Sequence, residues 1–112
     1  MSKNILSEAE ITSEIQAAAL VGWSIVDGLL AATYETKDFV TGLRLVNLIG
    51  AAAEAADHHP DIVLTYPTVR ITLVSHDVGG LTGRDVDMAR RISEIADQEG
   101  IAADTAPSGE SE

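Results

Sequence analysis

Two β-rich stretches of this chain are each broken by a turn of only two residues, and no other feature restricts its fold as tightly. Trp23 to Val26 and Leu29 to Tyr34 flank Asp27-Gly28, a dipeptide suited to the positive φ angles of a two-residue hairpin. Ile62 to Tyr66 and Val69 to His76 flank Pro67-Thr68. In the second of these runs Val69, Ile71 and Leu73 alternate with Arg70, Thr72 and Val74, so one face is apolar and His76 falls on the Arg70 and Thr72 side. Turns this short leave no room for a crossover, so both strand pairs must be antiparallel.

Helical patterns lie before, between and after the pairs. Ser7 followed by Glu10 forms a capping box, and Ile11, Ile15, Ala18 and Ala19 share a stripe, which predicts a first helix over about Glu8 to Leu20, stopped by Gly22. Thr36 is the expected N-cap of a second helix reaching about Asp57. Its apolar face, Phe39, Leu43, Val46, Ile49 and Ala53 widened by Leu45, Leu48, Ala52 and Ala56, is broad enough for burial on two sides, against the sheet and against another subunit. Pro60 disfavours helical angles at His59 and ends the helix within Asp57-His58-His59-Pro60. After the Gly79-Gly80-Leu81 turn, Thr82 and Asp85 form a second capping pair for a helix carrying Val86, Ala89, Ile92 and Ala96, with Gly100 as its stop. The expected fold is therefore α+β, in the order α-β-β-α-β-β-α, with one four-stranded antiparallel sheet and three helices on one face. Residues 1–101 form this domain. Residues 102–112 carry acidic residues, Pro107 and Gly109 but no large apolar side chain, and are expected to be a disordered acidic tail.

Charge and composition narrow the partners. With 18 acidic residues against 7 Lys and Arg among 112, the net charge is −11, which disfavours direct contact with nucleic acid or anionic membrane. No signal-peptide pattern opens the chain and no stretch approaches the roughly 18 apolar residues of a membrane span, so a cytoplasmic protein is expected. The absence of cysteine excludes disulfides and thiolate metal sites. Only four residues are aromatic, Trp23, Tyr34, Phe39 and Tyr66, so the core must be aliphatic, with Trp23 and Phe39 as its anchors.

All three histidines fall between positions 58 and 76, interleaved with Glu54, Asp57, Asp61, Asp77 and Asp85. Glu54 and His58 are four residues apart, on one helical face, where the carboxylate can orient the imidazole. Imidazoles at a helix C-terminus are favoured as cations and suit proton donation near neutral pH. The plainer reading makes His58 and His59 solvated partners of the helix end, His76 a surface residue and Asp85 a cap. His58, His76, Glu54 and Asp85 are acceptable zinc or iron ligands by type, but their spacing matches no close ligand set, so no metal site is assigned.

Taken together, Glu54-x-x-x-His58-His59-Pro60, Tyr66, Ser75-His76-Asp77, Gly80-Leu81-Thr82 and Asp85 resemble the signature of the pterin-4a-carbinolamine dehydratases over about Gly22 to Ile95. The chain departs from that family's pattern in having a single Phe where the second strand and second helix are usually Phe-rich. The resemblance implies the same α-β-β-α-β-β-α layer and the dehydration of 4a-hydroxytetrahydropterin to quinonoid dihydropterin, part of tetrahydrobiopterin recycling, with neither metal nor organic cofactor. By position it implies that His58, His59 and His76 line the pterin pocket, with His59 and His76 flanking the hydroxyl-bearing carbon as proton donors. Backbone of His58, His59 and Pro60, and of Ser75, His76, Asp77 and Val78, would hold the pterin's polar edge. Glu54 and Asp85 would orient imidazoles or take the departing proton. The resemblance further implies a homodimer or homotetramer and leaves open a second class of function, a protein-interaction module acting as a dimerisation or assembly cofactor.

Overall fold

The computed structural model of the protein describes residues 4–104. Its elements are α1 (Glu8–Ala17), β1 (Ser24–Val26), β2 (Leu29–Glu35), α2 (Phe39–Ala56), β3 (Asp61–Thr65), β4 (Thr68–Leu73), α3 (Gly83–Gln98) and β5 (Ala102–Ala103). The sheet is antiparallel, as expected, and its main strands lie in the order β1-β2-β4-β3. Asp27 and Gly28 adopt φ of 53° and 78°, the mirror-image turn that matches strand twist, and they set Val26 opposite Leu29.

One face of the sheet presents Leu30, Ala32 and Tyr34 from β2 and Val69, Ile71 and Leu73 from β4, all buried. Leu45, Ile49 and Ala53 of α2 and Val86, Ala89, Ile92 and Ala96 of α3 complete the same core. Gly42 permits the approach of α2 to the sheet, since a Cβ there would lie 2.7 Å from Leu64 Cδ1. Trp23 anchors the core as expected, its Nε1 donating to the Tyr34 hydroxyl at 3.0 Å. Burial pushes the Tyr34 phenol above its ordinary range.

Several boundaries differ from those read in the sequence. Ser7 and Glu10 form both halves of their capping box, but α1 ends at Ala17 and Ala19 turns left-handed, which lets Leu20 and Trp23 enter the core. Asp38, not Thr36, caps α2 by accepting from Thr41 N–H at 2.8 Å, because the buried Thr36 hydroxyl donates to the Pro67 carbonyl at 2.9 Å. Tyr66 and Pro67, rather than Pro67 and Thr68, connect β3 to β4. β4 stops at Leu73, short of His76, since Leu73 pairs with Leu30 near the start of β2 and no strand continues beyond it. Ser75 pairs instead with Gly80, so strand parity does not place His76.

The predicted tail begins differently as well. Gly100 N–H donates to the Asp97 carbonyl and Ile101 N–H to the Ala96 carbonyl, a paired C-terminal cap that reverses the chain and buries Ile101. Ala102 and Ala103 then pair with Glu35 and Tyr34 as a fifth strand, beside β1 on the outer edge of β2. Gly22 is needed where these segments meet: its φ is +88°, and a Cβ would come within 2.5 Å of the Ala103 Cβ. Residues 105–112 of the expected tail lie outside the described residues.

The broad face of α2 divides. Gly42, Leu45, Ile49 and Ala53 face inward, whereas Phe39, expected in the core, is 49 % exposed beside exposed Val40 and Leu43. Phe39 lies in the first turn of α2. At 18 residues and a mean hydropathy of 1.3, α2 also meets the length and composition of a membrane-crossing helix, contrary to the expectation from the sequence. Its inward stripe is packed on the sheet.

Candidate active site

The site forms where the C-terminal end of α2 meets the N-terminal end of α3. Asp57 closes α2 in the left-handed conformation, φ 52° and ψ 43°, and the two histidines that follow diverge. His58 turns inward and its Nε2 lies 2.6 Å from Asp85 Oδ1, with the two side chains 11 % and 0 % exposed. His59 turns outward and its Nε2 lies 2.6 Å from Glu54 Oε2, with exposures of 55 % and 80 %. The i,i+4 expectation had joined Glu54 to His58. The left-handed residue between them breaks the helical spacing and gives Glu54 to His59 instead.

Asp85 serves two structures at once. Its Oδ2 accepts from Thr82 N–H at 2.9 Å, the expected helix cap, and from Ser75 Oγ at 2.8 Å, while Oδ1 faces His58. Ser75 Oγ is also 2.8 Å from Thr82 Oγ1, which accepts from Arg84 N–H at 3.2 Å. Ser75, Thr82 and Asp85 are all buried. The side-chain bond from Ser75 was not legible in the sequence, which singled out only its backbone; the bridge between Ser75 and Gly80 is what delivers the hydroxyl to the cap.

His76, Asp77 and Val78 occupy the turn between Ser75 and Gly80, and His76 is exposed there. Asp77 Oδ1 accepts from Arg84 Nη2 at 2.7 Å, and this bond chiefly raises the pKa of the Arg84 guanidinium. Arg84 Nε is buried without a hydrogen-bond partner among the described residues. Sequence reasoning missed Arg84; its place two residues after an N-cap, beside the acidic turn, was the available signal.

A cavity of about 630 Å³ runs between α2 and α3, its wall including Ala52, Ala56, His58, Arg84, Met88 and Arg91. Of the three histidines only His58 is on this wall. Among the described residues no three His, Cys, Asp or Glu side chains converge to hold a metal ion. The arrangement offers one largely buried and one solvent-facing imidazole–carboxylate pair on consecutive residues, a set suited to moving protons.

Comparison with known proteins places these features in context. Residues 4–95 match the family model described as pterin 4 alpha carbinolamine dehydratase. The "Putative pterin-4-alpha-carbinolamine dehydratase" of Trichormus variabilis is 45 % identical over 91 residues, covering 81 % of this chain and 96 % of its own. A Nocardia farcinica protein of the same name is 40 % identical over 96 residues, covering 86 % and 99 %. The crystal structure of a transcriptional coactivator/pterin dehydratase from Brucella melitensis superposes with a TM-score of 0.76 at 35 % identity, covering 83 % of this chain and 99 % of that one.

Proposed function

The chain belongs to the pterin 4 alpha carbinolamine dehydratase family, and from that premise we propose that it is a cytoplasmic enzyme dehydrating 4a-hydroxytetrahydropterin by histidine acid–base catalysis, in tetrahydrobiopterin recycling. The observation that carries this reading is the pair of adjacent imidazole–carboxylate contacts, His58 with Asp85 and His59 with Glu54. Loss of water from a carbinolamine requires a proton for the leaving hydroxyl, and a proton must leave the neighbouring ring nitrogen. In this reading His59 and His76 donate to the hydroxyl, His58 takes part in the pocket backed by Asp85, and Glu54 tunes His59. Backbone of residues 58–60 and 75–78 holds the polar edge of the pterin. General acid–base assistance of this kind is worth roughly 10²- to 10⁴-fold. No metal is required in this scheme, and activity is expected to persist after exhaustive chelation; loss on chelation restored by zinc or iron would overturn that part. The direct test is the absorbance of quinonoid dihydropterin formed from the carbinolamine by the full chain.

A second reading, a protein-interaction module, is favoured by the exposed apolar residues Phe39, Val40 and Leu43 in the first turns of α2. The Brucella melitensis relative is named a coactivator as well as a dehydratase. The same face fits a homodimer or homotetramer, with which catalysis is compatible; a monomer by light scattering at micromolar concentration would count against assembly.

A further inference from the structure

With Asp85 as a carboxylate, hydrogen-bond donors and acceptors in the buried cluster beneath His58 can be satisfied in one direction only. A backbone N–H only donates, so Arg84 N–H gives to Thr82 Oγ1 and Thr82 N–H gives to Asp85 Oδ2. A carboxylate only accepts, so the single hydroxyl proton of Ser75 goes to Asp85 Oδ2. Ser75 Oγ must then accept at its 2.8 Å contact with Thr82, and the Thr82 hydroxyl must donate. At the far end Asp85 Oδ1, 2.6 Å from His58 Nε2, requires that this nitrogen carry the proton. Every bond is made at once, with none reversed.

From this we infer that Ser75 and Thr82 are positioning residues for the proposed dehydration: their hydroxyls clamp Asp85 so that His58 is held as its Nε2–H tautomer, with Nδ1 left as the ring's basic atom. The inference rests on the dehydratase reading for its catalytic consequence but not for the tautomer itself. Neutral imidazole has two tautomers, and the hydrogen bond made by one nitrogen selects which the other can use. Asp85 would be a poor selector if its carboxyl could rotate. It cannot, because Oδ2 is tied both to the start of α3 and to the turn that carries His76. Arg84, Asp87 and Arg91 of α3 share the cavity wall with His58, and Asp85 is hydrogen-bonded to its ring. His58 thus has its proton position set by the element that caps a helix.

Histidine ring ¹⁵N NMR on the full chain tests this, the His58 signals being assigned by their loss in His58→Gln. The expected result, read at alkaline pH so that the neutral ring is observed, is Nε2 protonated and Nδ1 bare; a predominantly Nδ1-protonated ring overturns the inference. Ser75→Ala should leave a mixture of tautomers and lower kcat by about tenfold with KM nearly unchanged, whereas Ser75→Thr, which keeps the hydroxyl, should restore both. Ser75→Ala that folds and retains both the parental tautomer and kcat overturns it. If Ser75→Ala does not fold, the wild-type tautomer and Ser75→Thr decide. An Nε2–H tautomer in a protein without dehydratase activity would sink the proposed function and leave the clamp standing; an active protein with the opposite tautomer would do the reverse.

Discussion

His58 and His59 are neighbours in sequence, and each sits 2.6 Å from a carboxylate oxygen, yet they belong to different environments. The His58–Asp85 pair is shut between α2 and α3, with Asp85 fully buried; the His59–Glu54 pair stands in solvent on the end of α2. Equal distances therefore do not mean equal strength. In water the attraction between a carboxylate and its partner is largely screened, and holding two mobile side chains together costs entropy. Inside the protein the same contact is stronger, and a partner left behind without it pays the whole desolvation penalty. The inner pair is part of the fold, while the outer one is free to reorganise.

The sharpest way to break this comparison is to delete each carboxylate in turn. Asp85→Ala leaves Ser75, the Thr82 N–H and His58 without their acceptor and should cost about 3–5 kcal/mol in urea unfolding, while Glu54→Ala should cost less than about 1 kcal/mol. Equal losses would refute the distinction. Next in size, His59→Ala and His76→Ala should each lower kcat/KM by about tenfold or more without loss of stability, because both side chains are exposed. The double variant should lose less than the product of the single losses, as groups acting on one step do. A fall in melting temperature with catalysis per folded molecule unchanged would show that these histidines are structural.

Trp23 and Tyr34 extend the comparison to a buried pair without charge. Tyr34→Phe strands the Trp23 indole N–H and should cost about 1 kcal/mol at neutral pH. Burial raises the Tyr34 phenol, so the folded state holds a proton that the unfolded state releases. Its contribution is complete below pH of about 10 and is lost as pH rises through the folded titration, and Tyr34→Phe should remove that part of the alkaline fall in melting temperature. An identical alkaline profile in the variant would refute it. The smallest effect concerns the outer pair: whatever Glu54→Gln does to kcat/KM should shrink toward nothing at 1 M salt, where the screening length is about 3 Å. The effect of Asp85→Asn should persist. A Glu54→Gln effect that is independent of salt would mean the pair is less open in solution than its exposure indicates.

Local chemistry made much of this architecture readable. Asp27-Gly28 tolerates left-handed angles, Ser7 with Glu10 and Thr82 with Asp85 satisfy helix N-termini, and Gly100 reverses the chain after α3. Each works through residues within a few positions of one another, so spacing alone reveals it. The residues of the candidate site were readable in the same way, as a cluster of histidines and carboxylates, but their pairing was not. Glu54 faces His59 only because Asp57 is left-handed, and His58 reaches Asp85 across 27 positions.

The sequence by itself determined the order of elements, the two antiparallel pairs, and the chemical types gathered at positions 54–60 and 75–85. Tertiary structure decided where α1 and β4 stop, that Asp38 rather than Thr36 caps α2, that Ala102 and Ala103 join the sheet, and which histidine is buried. The physical reason is common to all of these. A turn or cap closes within one short segment, but a buried hydroxyl, a strand edge or a carboxylate finds its partner only when distant segments are packed together, and the partner then overrides local preference.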